Sequence, residues 1–291
     1  MRESTRSSLL AFAFLAVLLS GCAPASTPVP LATETPVPLA TETSIPSLTP
    51  WSLVVVGDSI AYNSSTVCPG CSGFVYRYAD AIFEATGHPV KVSNLSQLSL
   101  QVDVLLEELR PDTYAWRRDA LVNADIIIVS IAFNDVPWLR NDDPCDGPNG
   151  NKPDWSKYNS SCAAAATEIF RPKFESVYAR IVALREGKPT IFRTINRYND
   201  WIGWTGDAGE TNPPEATDAT RVVLDAWSAM VCETAQENGF TCADIYHTFN
   251  GAAGLTPSGD LLGKDYTHPS DKGNEVIARV LTDLGYDPLV P

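Results

Sequence analysis

Four side chains, far apart along the chain, offer a nucleophile, a base, an acid and a hydrogen-bonding amide. Ser59 lies in Gly57-Asp58-Ser59, directly after the apolar β-rich run Ser52–Val56. A serine hydroxyl is a weak nucleophile and needs a neighbouring base. The sequence has 3 histidines to draw on: His88, His247 and His268. His88 falls in Gly87-His88-Pro89, in a connection between a helix and a strand, and reads as a surface residue. His247 follows the last strand and is open to either reading. His268 has a carboxylate three residues before it, in Asp265-Tyr266-Thr267-His268-Pro269. On a turn, that spacing lets Asp265 accept from one imidazole nitrogen while the other faces a serine. Such a carboxylate fixes the tautomer and stabilises the imidazolium. Asn134, in Phe133-Asn134-Asp135, follows the third strand, where its amide can donate to a developing oxyanion. Losing one such donor raises a barrier by about 3 kcal/mol.

Each residue also has a plainer reading. Ser59 alone is more often a helix cap. Asp265 and His268 can be a surface pair or, with Asp244 and His247, a metal site. No compact signature such as HExxH supports metal, and neither metal nor cofactor is expected. Asn134 can be a turn residue.

Positioning these groups requires strands that end beside one another. Ser52–Val56, Val90–Leu95, Asp125–Ile131, Thr190–Ile195 and Thr241–Ile245 read as five short strands, the third being the strongest buried run. Helical patterns occupy Gly73–Ala85, Val102–Leu109, Tyr114–Val122, Thr167–Glu186, Thr217–Asn238 and Ser270–Leu284. Strands interleaved with helices predict a three-layer α/β/α sandwich around a parallel sheet of about five strands. In such sheets active residues collect at the carboxyl ends of the strands. Ser59 and Asn134 each fall just beyond one.

The sequence has 291 residues and a net charge of −14, with 44% hydrophobic and 19% charged residues. That is enough apolar material for a core. With 21 basic against 35 acidic residues, nucleic acid is an improbable partner, since its phosphates would be repelled. Arg2 and Arg6 precede an apolar run, Leu9–Leu19, which is too short to span a bilayer and suits an export signal. Leu19-Ser20-Gly21-Cys22 then resembles the lipobox of bacterial lipoproteins. That resemblance implies cleavage after residue 21, lipidation of Cys22, and a membrane-anchored protein facing the cell exterior or periplasm. Residues 22–50 read as a tether. Thr27–Glu34 (TPVPLATE) recurs as Thr35–Glu42, and 7 prolines lie between Pro24 and Pro50, so this segment favours extended polyproline II. Residues 51–291 remain as one globular unit, expected to be monomeric.

Beyond Cys22, six cysteines remain: Cys68, Cys71, Cys145, Cys162, Cys232 and Cys242. An even number in an exported chain suggests disulfides. The simplest pairing joins nearest neighbours. Cys68-Pro69-Gly70-Cys71 also has redox-motif spacing and half a zinc site, but neither context surrounds it.

Gly-Asp-Ser after the first strand, Asn-Asp after the third and Asp-x-x-His before the last helix together resemble the SGNH (GDSL-type) hydrolases. The motifs run in order through residues 51–286. The resemblance implies an α/β/α serine esterase or lipase. Ser59 is then the nucleophile and an oxyanion donor through its N–H, Asn134 a second donor, His268 the base and Asp265 its orienting acid. The family's second block carries a glycine whose N–H completes the oxyanion hole. The matching stretch is Asn94-Leu95-Ser96-Gln97-Leu98-Ser99, which aligns Ser99 with that position and leaves Ser96 as an alternative. The third block usually begins with glycine; Ala132 stands there.

The insert Val136–Cys162, with Trp138 and Trp155, and the loop Asn196–Ala216, with Tyr198, Trp201 and Trp204, both follow strand ends and should overhang the site. Their aromatic residues can stack on a sugar, line an acyl pocket or simply pack the loops. Loops this polar do not make a greasy lid. The expected substrate is a short-acyl, acetyl-type ester of a small molecule or glycan. A long-chain lipase or phospholipase, an acyltransferase and a non-catalytic surface-binding lipoprotein are the alternatives.

Overall fold

The computed structural model describes residues 48–148, 152–204 and 211–289; Cys22, the signal and most of the tether lie outside them. Five strands form one parallel sheet: β1 (Trp51–Gly57), β2 (Val90–Asn94), β3 (Ile126–Ser130), β4 (Ile191–Ile195) and β5 (Thr241–Ala243). Their order is β2-β1-β3-β4-β5. The chain turns from building toward one edge to building toward the other between β1 and β3. In open α/β sheets the ligand crevice lies outside the carboxyl ends at such a switch point.

The strands are apolar on both faces, so both faces must be covered. Leu53, Val55, Ile126 and Ile128 point into one core. It is closed by α1 (Ser59–Tyr62), α2 (Phe74–Thr86) and, late in the chain, α7 (Ile245–Asn250) and α8 (Asp271–Asp283). Val54, Val56, Ile127 and Val129 point into the other. There α3 (Val102–Glu108), α4 (Ala115–Val122), α5 (Ser160–Leu184) and α6 (Pro214–Glu237) close it. This is the expected three-layer sandwich with five strands. Among the described residues no helix is long and apolar enough to cross a membrane.

Several boundaries differ from the sequence reading. α5 begins at Ser160 rather than Thr167, because Asn159 caps it by accepting from Ser161 and Cys162 N–H (2.9 and 3.2 Å). Its first turns are alanine-rich and give no apolar stripe. α6 begins at Pro214, a residue suited to the first helical turn. β5 stops at Ala243, since Asp244 instead caps the short helix α7. The three disulfides are the nearest-neighbour pairs Cys68–Cys71, Cys145–Cys162 and Cys232–Cys242.

Candidate active site

β1 delivers Ser59 to the sheet's carboxyl end. Gly57 lies where β1 passes closest to β3: a Cβ there would come within 2.6 Å of the Ser130 carbonyl oxygen. The glycine is therefore needed for close approach rather than for a left-handed turn. Asp58 then caps α1, accepting from Ile60 N–H at 3.0 Å, and its other oxygen accepts from Phe133 N–H at 3.2 Å. One carboxylate thus ties the serine turn to the Asn134 loop. Burial pushes the Asp58 pKa up to about 7, against the pull of those two N–H groups and Arg197. Ser59 is the first residue of α1, and its N–H donates to no acceptor among the described residues.

The stretch after β2 runs alongside, with Gln97 N–H donating to the Gly57 carbonyl (2.9 Å). Ser99 has φ 56, in the left-handed region where glycine is favoured. The Asn94–Ser99 register thus aligns a backbone position suited to glycine with the family's glycine. The Ser99 N–H is likewise uncommitted among the described residues. Ser96 is buried and its φ is not in that region. Ala132 has no positive φ either, so alanine in place of glycine costs no backbone strain.

Asn134 follows β3 and lines the same cavity as Ser59. Its Nδ2 donates to the Leu100 carbonyl at 3.1 Å, and its own carbonyl accepts from Gln101 at 3.0 Å. A primary amide has two protons, so one remains for a substrate oxygen. Next to it, buried Asp135 accepts from Val102 N–H (2.9 Å) and Arg140 (2.7 Å), which holds the loop onto α3.

The Asp265–His268 turn closes the other side. His268 Nδ1 lies 2.6 Å from Asp265 Oδ2, and Asp265 Oδ1 accepts from Thr267 and His268 N–H (3.2 and 3.1 Å). Burial raises the Asp265 pKa, but the bonds from the His268 ring and the two backbone N–H groups outweigh it and hold the carboxyl below its ordinary value. The carboxylate therefore stays ionised and orients the ring. Thr267, adjacent to His268, lines the Ser59 cavity.

That cavity holds about 270 Å³ and is walled by Ile60, Phe133 and Leu139 and by Asp200, Trp201 and Trp204 from the loop after β4. The aromatics of the insert behave differently from those of this loop. Trp138 is only 2% exposed and stands edge-on to Trp155, Tyr158 and Trp201, forming a cluster that packs the insert against the β4 loop. Neither Trp138 nor Trp155 reaches the cavity wall.

Arg197 and Asn274 escaped sequence reasoning, and Tyr198 was read there as a loop aromatic without its anchoring bond. Arg197, fully buried, donates to the Phe133 carbonyl and to Asp200 (2.6 Å). The adjacent Tyr198 donates to the Thr267 carbonyl at 2.6 Å and stacks on Phe249 with ring centroids 4.5 Å apart. Successive residues of one segment thus grip the Asn134 loop and the His268 loop. Asn274, buried in the first turn of α8, accepts from Phe74 N–H and donates to Pro269 O and Asn63 Oδ1. It fastens the histidine-bearing turn to the helices that follow Ser59. Only long-range partners reveal these three.

Residues 55–276 match the model of the GDSL-like lipase/acylhydrolase family. The chain belongs to that family. As a GDSL-like protein it is a carboxylic ester hydrolase. Among solved structures it is similar to the lipase Lip_vut3 from a goat rumen metagenome, at 18% identity and a TM-score of 0.63, over 82% of this chain and 99% of that one. It is also similar to a mutant of Axe2, an acetylxylan esterase from Geobacillus stearothermophilus. There the identity is 17% and the TM-score 0.51, over 82% of this chain and 96% of that one. At these identities the likeness is one of fold. No curated protein matches the sequence.

For this GDSL-like site the arrangement suits acyl transfer to a serine. The cavity is lined by Ser59, whose N–H is uncommitted among the described residues, and by Asn134, which has an amide proton to spare. Preorganised donors of this kind stabilise a tetrahedral oxyanion without reorganising as charge develops.

Proposed function

We propose that this protein is an exported, lipid-anchored serine esterase that cleaves short-acyl, acetyl-type esters, carbohydrate esters among them. Ser59 attacks the ester carbonyl as His268 takes its proton, with Asp265 holding the imidazole. Ser59 N–H, Ser99 N–H and the Asn134 amide hold the oxyanion. His268 then protonates the leaving alcohol and activates the water that releases the acyl group.

The observation that carries this reading is the convergence of Ser59, Asn134 and Thr267 on one cavity beside an oriented Asp265–His268 pair. Cavity size supports the choice of acyl group. At about 270 Å³ it falls just under the roughly 300–1,000 Å³ of sites that enclose drug-sized ligands. An acetyl group and part of an alcohol fit such a space; a long acyl chain would run out beyond it. Export and anchoring are supported by the basic start, the Leu9–Leu19 run and Leu19-Ser20-Gly21-Cys22. Acyl chains on Cys22 would hold the domain at a membrane through the proline-rich tether.

The test is hydrolysis of p-nitrophenyl esters from acetate to palmitate, beside Ser59→Ala and His268→Ala. Highest activity on the shortest chains, lost in both variants, is expected. A maximum at long chains would replace the acetyl-type reading with a lipase. An inert but folded protein would overturn the esterase role. Labelling of cells with a radioactive fatty acid tests the anchor, which predicts incorporation that Cys22→Ser abolishes.

A further inference from the structure

Asp200 is only 7% exposed, yet it lines the cavity that holds Ser59. One carboxylate oxygen accepts from Arg197 at 2.6 Å, making a buried ion pair. The other accepts no hydrogen bond from any described residue, and it is not among the side-chain atoms sealed from solvent without a partner. It is therefore reachable from solvent, on a residue of the cavity wall. Beside it stand Trp201 and Trp204, half-buried, and Asn212. The Asn212 amide nitrogen gives one proton to the Trp201 carbonyl (2.8 Å), and its side-chain oxygen is a second acceptor. Trp204 is held edge-on to Tyr266, next in sequence to Asp265.

This wall sets two requirements on whatever leaves with the alcohol. It must donate hydrogen bonds to Asp200 and Asn212, because an apolar group seated there would strip water from a carboxylate and replace it with nothing. It must also present a flat apolar patch to the indole rings. A polyhydroxylated ring, with hydroxyls on its rim and C–H bonds on its faces, meets both. An alkyl chain meets only the second. A cationic alcohol is disfavoured because Arg197 already balances the Asp200 charge.

We infer that Asp200, with Trp201, Trp204 and Asn212, forms an alcohol-side subsite that recognises the hydroxyl groups of a sugar ring. The inference rests on the esterase reading above and deepens it. Asp200 becomes the specificity-determining residue and the two tryptophans its platform, while the Ser59 machinery stays indifferent to the alcohol.

The experiment compares kcat/KM on two probes, p-nitrophenyl acetate and a methyl pyranoside bearing one O-acetyl group. The proteins are the wild type, Asp200→Asn and Trp204→Ala. Asp200→Asn keeps an acceptor for Arg197; Trp204→Ala leaves that ion pair untouched, so a folding defect in one does not silence the test. The expected result is a fall of about tenfold or more on the sugar ester, carried mainly by KM, and clearly deeper than any fall on p-nitrophenyl acetate. Equal falls on both probes would reduce Asp200 to a brace for Arg197 and overturn the subsite. So would no change on either. A wild type that hydrolyses p-nitrophenyl acetate but ignores the sugar ester would overturn the subsite alone. A wild type inert toward both would remove the esterase reading and this inference with it.

Discussion

Asp244 and His247, at the start of α7, repeat the local geometry of Asp265 and His268 before α8. In each pair Nδ1 lies 2.6 Å from Oδ2, and the histidine's own N–H donates to Oδ1 at 3.1 Å. In each, burial raises the aspartate pKa and the hydrogen bonds, led by side-chain ones, lower it by more. The surroundings differ. Asp244 is the N-cap of α7 and also accepts from Asn196 at 2.9 Å. His247 is 47% exposed, beside hollows lined by Asp218, Arg221, Asp225 and Thr248 but by no serine. His268 is 22% exposed, and its neighbour Thr267 lines the Ser59 cavity and is anchored by Tyr198. In this chain Asp-x-x-His is thus, at both places, a turn that orients an imidazole. The two turns differ in what lies beside them and not in how the ring is held. This is why His247 stayed ambiguous in the sequence.

The comparison breaks most visibly at the nucleophile and base. Ser59→Ala and His268→Ala should each lower kcat by roughly 10⁴–10⁶, as losing a triad member does. His247→Ala should leave kcat/KM within about twofold, because among the described residues no serine lines the hollows beside that ring. Steady-state kinetics on p-nitrophenyl acetate checks all three. A His247→Ala defect as deep as that of His268→Ala would mean the two turns share one function.

Asp265→Asn comes next, with an expected loss of roughly 10²–10⁴ in kcat from a misdirected tautomer. The fold should stay intact, since an amide oxygen can still accept from Thr267 and His268 N–H. Unchanged activity would show that Asp265 only shapes the turn.

Most of the layout was legible because it is local. Buried strands appear as β-branched runs, and the Ser59, Asn134 and Asp265–His268 motifs fall at strand or helix ends by position alone. The missing parts are those whose partners lie far along the chain. Arg197 reaches a carbonyl 64 residues away and Tyr198 one 69 residues away, while Asn274 accepts from an N–H 200 residues away. No periodicity records such pairings. Trp138 and Trp155 were left open between ligand and loop packing for a related reason: composition places aromatics in a loop but does not say whether they face a ligand or each other. Ser99 was placed by its resemblance to a family glycine position, and its φ of 56 lies in the region that favours glycine.

Tyr198 sharpens the comparison, because its anchor on the Thr267 carbonyl has no counterpart at His247. Tyr198→Phe removes one hydroxyl and keeps the stacked ring. Small displacements of catalytic groups are costly, so kcat should fall about tenfold while KM holds. The acid limb of the kcat/KM profile should move as well, since the bond acts through the residue beside His268. A lower melting temperature with unchanged kinetics would make Tyr198 a packing residue only.

The smallest effect is expected at the second turn, and there it should be one of stability rather than rate. Asp244→Asn weakens a helix cap, which typically costs about 1 kcal/mol. For a domain of this size that is about 2–4 °C in melting temperature. The pH dependence gives the sign. The Asp244 carboxyl is held below its ordinary 3.8 in the folded protein, so its contribution is present above that value and lost as pH falls through the folded pKa. The gap between wild type and Asp244→Asn should therefore be full near neutral pH and close in acid. Asp265→Asn should show the same closing gap in melting temperature, for the same electrostatic reason. The two turns would then be alike in unfolding curves and unlike in turnover. If Asp244→Asn cost activity without costing stability, the cap reading of α7 would be wrong.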